Sequence, residues 1–170
     1  DDTISGYTAS FSMMNYGKSS VIFQKHGYRI GDWENIDGQN KDFGKYQFNG
    51  LYQKVYSGGQ MLTGRLDGQW SSTSYLPSAE QFYIGGAYSV RGYKESLLGG
   101  GHGVAVSLEY SVPIAKAVSA FTFIDYGSVY GDSAFEDHIL MSTGIGVKAT
   151  LAQNFYSSLT LGVPLRRELN

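Results

Sequence analysis

The three histidines, His26, His102 and His138, are the side chains of this 170-residue sequence best suited to hold a metal. They lie far apart, and no carboxylate stands at a spacing that completes a ligand set. Their expected places are external loops or strand ends. Asp32-Trp33-Glu34-Asn35-Ile36-Asp37-Gly38 is acidic but lacks the alternating oxygen ligands of a calcium loop, and reads as a solvated loop. Gly99-Gly100-Gly101-His102-Gly103 has neither the lysine nor the following helix of a phosphate-binding loop, and reads as a flexible return into a strand. There is no Gly-x-Ser-x-Gly elbow for a serine nucleophile. The absence of cysteine removes thiolate metal sites, thiol nucleophiles and disulfide scaffolds together. No cofactor and no enzymatic activity is expected, and a net charge of −2 makes no electrostatic case for nucleic acid.

The remaining charged residues follow a regular alternation, which points to the elements that carry them. From Leu62 to Trp70, Leu62, Leu66 and Trp70 occupy one parity, and Thr63, Arg65, Asp67 and Gln69 the other. Val104, Val106, Leu108, Tyr110 and Val112 similarly oppose Ala105, Ser107, Glu109 and Ser111. Near the end, Phe155, Leu159, Leu161, Val163 and Leu165 oppose Tyr156, Ser158, Thr160 and Gly162. Period-two alternation is the signature of strands with two unlike faces. The sequence has 23 glycines, 25 aromatic residues and only 3 prolines, which suits sheets broken by tight turns. No apolar run approaches the roughly 18 residues of a membrane-spanning helix.

Turn signals divide the chain into about eight strands: 4 to 14, 19 to 31, 44 to 57, 60 to 73, 101 to 114, 117 to 130, 137 to 151 and 154 to 165. The connections at Tyr16-Gly17-Lys18, Ser57-Gly58-Gly59, Ile114-Ala115-Lys116 and Ala152-Gln153 are tight, whereas 32 to 43, 74 to 100 and 131 to 136 are longer. Outer-membrane barrels alternate short periplasmic turns with long external loops in this way. Tyr7, Tyr46, Tyr56, Tyr110, Tyr126 and Tyr130 fall near the expected strand ends, where an interfacial girdle lies. A soluble sandwich or lipocalin-like barrel has the same period with its faces reversed, and alternation leaves inside and outside open. The opposition of Arg65, Asp67, Glu109 and Asp125 to uncharged faces favours a watery lumen within a lipid-facing exterior.

The longest connection, 74 to 100, is too rich in aromatics to be a slack loop. Its Ser78, Glu80-Gln81-Phe82, Gly85-Gly86 and Val90-Arg91-Gly92-Tyr93 resemble the hallmark of the two-partner secretion transporters, the haemolysin secretion/activation family. That family shares a superfamily with the barrel-assembly insertases. Val-Arg-Gly-Tyr alone is a weak signal; preceded by Ser-x-Glu-Gln-Phe-x-x-Gly-Gly between two amphipathic strands, it is specific. Phe123-Ile124-Asp125-Tyr126-Gly127 resembles the Phe-x-Asp-x-Gly element of the same family. The likeness is most specific from Gly64 to Gly127.

The resemblance implies an all-β, antiparallel transmembrane barrel whose long loop folds back into the lumen. It implies that Arg91 pairs with Asp125, with Glu80, Gln81, Phe82, Gly85, Gly86, Phe123 and Gly127 in support. Parity agrees, since Phe121, Phe123 and Asp125 share a face, and a planar guanidinium in a confined lumen is best satisfied by a carboxylate. The implied function is export of a large unfolded partner protein through the outer membrane of a Gram-negative bacterium. The implied partners are that exoprotein, outer-membrane lipid, the rest of the barrel and periplasmic transport-associated domains. Family members begin with a plug helix and those periplasmic domains and end on a strand with a terminal aromatic residue. Here Arg166-Arg167-Glu168-Leu169-Asn170 follows the last expected strand. The expectation is therefore that residues 1–170 are a C-terminal barrel portion lacking its final strand and first half. An insertase of the same superfamily, whose members often carry phenylalanine at the position of Tyr93, and a general pore or adhesion barrel remain as alternatives.

Overall fold

A computed structural model describes residues 4–34, 40–131, 138–152 and 155–166. Of the expected connections, 35–39, 132–136 and the turn residue 153 lie outside the described residues.

Eight long strands form one antiparallel meander: β1 (Ile4–Tyr16), β2 (Ser20–Glu34), β3 (Asn40–Val55), β4 (Met61–Ser71), β7 (His102–Ala115), β8 (Val118–Tyr130), β9 (His138–Ala152) and β10 (Phe155–Pro164). They pair in chain order from β1 to β10, and the two edge strands do not pair with each other, so the sheet is open. Between β4 and β7 the chain makes a 3₁₀ turn at Ser78–Glu80 and a small ribbon of β5 (Phe82–Ile84) with β6 (Leu98–Gly100). Strand lengths of 10 to 16 residues match or exceed the expected run of about ten, because pairing continues beyond the apolar stretch of several strands.

The structure decides which face is inward. Thr63, Gln69, Ala105, Glu109, Phe121, Phe123 and Asp125 are buried on the concave side, under the long connection. Their sequence neighbours point away from it, and Leu108 (48% exposed), Ile145 (63%) and Leu161 (65%) lie bare on the convex side. A soluble barrel buries its aliphatic face, so this arrangement is the inverse of the lipocalin-like alternative.

Two clusters form the core, and the long connection contributes to both. Leu76 packs with Trp33 and Phe43 at the ends of β2 and β3. Ile84, Val90 and Tyr93 pack with Ala105, Val129 and Leu140 on β7, β8 and β9. The expected slack-free segment is thus the filling of the sheet's concavity.

Several expectations need correction. Asp32-Trp33-Glu34, expected in a solvated loop, ends β2 and pairs with β3, with Trp33 buried. Gly99 and Gly100, expected in a flexible return, are paired in β6 with Tyr83 and Phe82. His102 and His138 open β7 and β9, but His26 stands inside β2, away from either end. There its ring stacks on Phe11 at 5.6 Å, meets Phe48 edge-on at 5.1 Å, and brings Nδ1 within 2.5 Å of the Tyr46 hydroxyl. An imidazole is apolar enough to join an outward aromatic cluster, and nothing in the flanking residues signals this. Tyr46, Tyr110 and Tyr126 likewise sit several residues inside their strands: β3 begins four residues before its expected start, while β7 and β8 keep their expected bounds to within one residue.

Candidate functional site

Arg91 leaves the loop and reaches the sheet midway along β7 and β8. Its Nε and Nη2 donate to the two oxygens of Asp125 at 2.8 and 2.9 Å, a side-on fork. Nη2 also donates to Ser107 Oγ at 3.0 Å, and Nη1 to Glu109 Oε2 at 2.7 Å. The Arg91 backbone N–H donates to Asp125 as well, at 3.1 Å. The guanidinium carbon lies 3.5 Å from the centre of the Phe123 ring, so the plane is stacked on one face and hydrogen-bonded around its rim. Asp125 is fully buried. Burial disfavours the charge on Arg91, but the hydrogen bonds that Arg91 donates to Asp125 and Glu109, together with their negative charges, outweigh it and raise the guanidinium pKa above its ordinary value.

Strand register explains the convergence. Ser107 stands opposite Asp125, and Glu109 opposite Phe123, so acceptors from β7 and β8 alternate with the ring that supports the guanidinium. Glu109 also pairs with Lys148 of β9, whose ammonium lies 4.7 Å from the Phe121 ring. The cluster of Arg91, Lys148, Asp125 and Glu109 is neutral as a whole, which permits it to exist under the loop.

Gly92 has φ +92°, and a Cβ there would fall 2.9 Å from the backbone of Gly162 on β10. Only glycine permits both that conformation and that approach. Tyr93 then presents its hydroxyl to the carbonyl oxygens of Met141 (2.8 Å) and Arg166 (2.7 Å), beyond the last paired residue of β10. Val90 and Ile84 rest on Gly127, and Phe82 on Gly103, where a side chain would collide with them. At the tip, Gly85 is bonded through its N–H to Ser89 Oγ at 2.8 Å, and Gly86 lies against the carboxylate of Glu95. Gln81 Nε2 donates to the Leu76 carbonyl at 2.9 Å, closing the 3₁₀ turn region on itself.

Glu80 stands apart from this cluster. Its carboxylate takes Arg29 of β2 at 3.0 Å and Lys45 of β3 at 2.8 Å. Its backbone carbonyl accepts from Lys45 Nζ and Gln69 Nε2, each at 2.9 Å. The residues that sequence reasoning missed are thus Lys148, Arg29 and Lys45, with Ser107, Gln69 and Glu109 seen only as polar-face residues. Parity gave the side of the sheet for Ser107, Gln69 and Glu109, but only register gives their partners. Among the described residues no group of three His, Asp or Glu side chains is gathered as a metal centre.

The profile of the haemolysin secretion/activation protein ShlB/FhaC/HecB matches residues 1–149. The protein TOC75-3, chloroplastic, of Arabidopsis thaliana is 39% identical over 59 residues, covering 34% of this chain and 7% of that protein. The outer membrane transporter CdiB of Dickeya dadantii is 25% identical over 138 residues, covering 78% of this chain and 25% of that protein. Among solved structures, CdiB from Acinetobacter baumannii superposes with a TM-score of 0.81 at 23% identity, over 97% of this chain and 30% of that one. The fold is therefore that of a barrel segment, and the chain spans less than a third of the length of each of these proteins.

Proposed function

Because this chain belongs to the haemolysin secretion/activation protein family, we propose that it forms part of an outer-membrane pore, in a Gram-negative bacterium, that exports a secreted partner protein. The observation that carries this reading is the inverted sheet: charged and polar side chains line a concave interior, aliphatic ones face outward, and a folded loop is tied into the interior by Arg91. A polar lumen passes an unfolded polypeptide without binding it strongly, while the apolar convex face meets lipid.

Residues 74–100 act as the lumenal loop in this proposal, with Val90-Arg91-Gly92-Tyr93 as its inner segment and Asp125 as its anchor. The loop occupies part of the export path, and its ion pair holds one conformation. No catalytic step is assigned. Both edge strands carry unpaired backbone groups, which lipid does not tolerate, so the remainder of the barrel supplies the strands that close it. Periplasmic transport-associated domains of the parent protein would receive the client before it enters.

Export of a tagged exoprotein encoded beside the full-length parent tests the reading, with wild type compared with Arg91→Ala and Asp125→Ala. The expected result is a large loss of exoprotein from the medium, with outer-membrane levels of the transporter close to those of wild type. Normal export from both variants would remove the assigned role of the pair. Export that never depends on the transporter, with other outer-membrane barrels failing to assemble in its absence, would replace this reading with an insertase.

A further inference from the structure

The loop is gripped at two places by ion pairs of opposite polarity. At Arg91 the loop supplies the cation and the strands β7 and β8 the anions. At Glu80 the loop supplies the anion and β2 and β3 the cations. The second grip is as well built as the first: Glu80 and Lys45 are buried, and Gln69 is 1% exposed. The Gln69 amide is fully used, donating to the carbonyls of Glu80 and Gly101 and accepting from Gln47. Arg29 passes the connection on to Thr8 of β1, 3.2 Å from Nη1. Strands β2, β3 and β4, and β1 through Arg29, are therefore tied to one loop residue, while β7 and β8, and β9 through Glu109, are tied to Arg91.

We propose that Glu80 is a second positioning residue, and that the loop is a brace fixed at both ends across the lumen. The proposal rests on the lumen being the export path. With Arg91 alone, the first half of the loop keeps only the packing of Leu76 on Trp33 and Phe43 to hold it against β2 and β3. Two grips of reversed sign allow a single seating. Exchanging the ends would set Glu80 against Asp125 and Glu109, and Arg91 against Arg29 and Lys45, pairing like charges under cover. Release of Glu80 thus opens the side of the lumen lined by β2, β3 and β4, and leaves Val90-Arg91-Gly92-Tyr93 in place.

Spin-label distances test this in the full-length parent, with its other cysteines removed, reconstituted in lipid vesicles without client. Labels at Ala79 and Ala87, both exposed on the loop, are each paired with one at Lys116 in the β7–β8 turn. In wild type both pairs give a single narrow distance. In Glu80→Lys the Ala79 distance broadens while the Ala87 distance stays narrow, single-channel conductance rises several-fold, and adding Lys45→Glu restores both readouts toward wild type. Arg91→Ala gives the converse, with broadening at Ala87. Glu80→Gln, which keeps the shape and removes the charge, decides the matter if Glu80→Lys fails to insert, and is expected to broaden the Ala79 distance alone. Unchanged distances in Glu80→Gln, or equal broadening at both sites, would overturn the brace. Because these readouts need no client, they stand or fall separately from export.

Discussion

Arg91 owes its hold to shape as much as to charge. A guanidinium offers five N–H donors in one plane, and four side-chain hydrogen bonds from Arg91 reach Asp125, Ser107 and Glu109 while its face lies on Phe123. Lysine has a point charge and no plane, so Arg91→Lys is expected to assemble normally yet export little more than Arg91→Ala, as read from exoprotein in the medium. Arg91→Ala leaves Asp125 buried without its cation, at a cost of about 3–5 kcal/mol. Tyr93→Phe is a milder test: it strips a hydroxyl from between Met141 and Arg166 and costs about 1–3 kcal/mol, seen as a lower urea midpoint in vesicles. At this scale the sequence was legible only where residues sit in a motif. Val90-Arg91-Gly92-Tyr93 and Phe123-Ile124-Asp125 could be read directly, whereas Arg29 and Lys45 are ordinary polar-face cations until the fold brings them to a glutamate 51 and 35 residues away.

Strands, by contrast, were legible nearly throughout, because an alternation of unlike faces survives without any knowledge of partners. All eight expected runs became strands, with ends moved by a few residues where pairing outlasts the apolar stretch. His26 shows the limit, since an aromatic imidazole inside β2 carries no mark that separates it from one in a loop. The glycines of β9 show another. Gly144 looks like a weak point in a strand, but it is a notch: a Cβ there would fall 2.5 Å from the Phe123 ring and 2.1 Å from the Leu161 carbonyl. Gly144→Val should therefore displace both Phe123, and with it the surface on which Arg91 stacks, and the backbone of β10. The expected loss is about 1–3 kcal/mol, with export reduced. Gly64 on β4 is the control, since a Cβ there has nothing nearer than Tyr52 Cβ at 4.0 Å. Gly64→Ala is expected to leave export intact and raise stability by about 0.5 kcal/mol, on the same urea titration.

For the molecule as a whole, the open question in the sequence was which face is inside, and the answer comes from what the long connection covers. A segment carrying Leu76, Ile84, Val90 and Tyr93 packs on Trp33, Phe43, Ala105, Val129 and Leu140, and on the same side Glu80 and Arg91 pair with charges of the sheet. The convex face is then left with aliphatic side chains that water would not tolerate in such number, and lipid is their natural solvent. Adjacent residues of β10 test this inversion in the full-length parent. Leu159 points outward near the middle of the strand, while Thr160 stands opposite Gly146, whose inner side faces the Phe121 ring. Arginine at Leu159 must enter the hydrocarbon region and should cost about 2–4 kcal/mol, whereas arginine at Thr160 enters a watery lumen and should cost little. Urea titration of both variants in vesicles reads the difference directly. Equal costs at the two positions would mean that the convex face does not meet lipid. A larger cost at Thr160 would mean that the polar side is the packed one, as in a soluble barrel turned inside out.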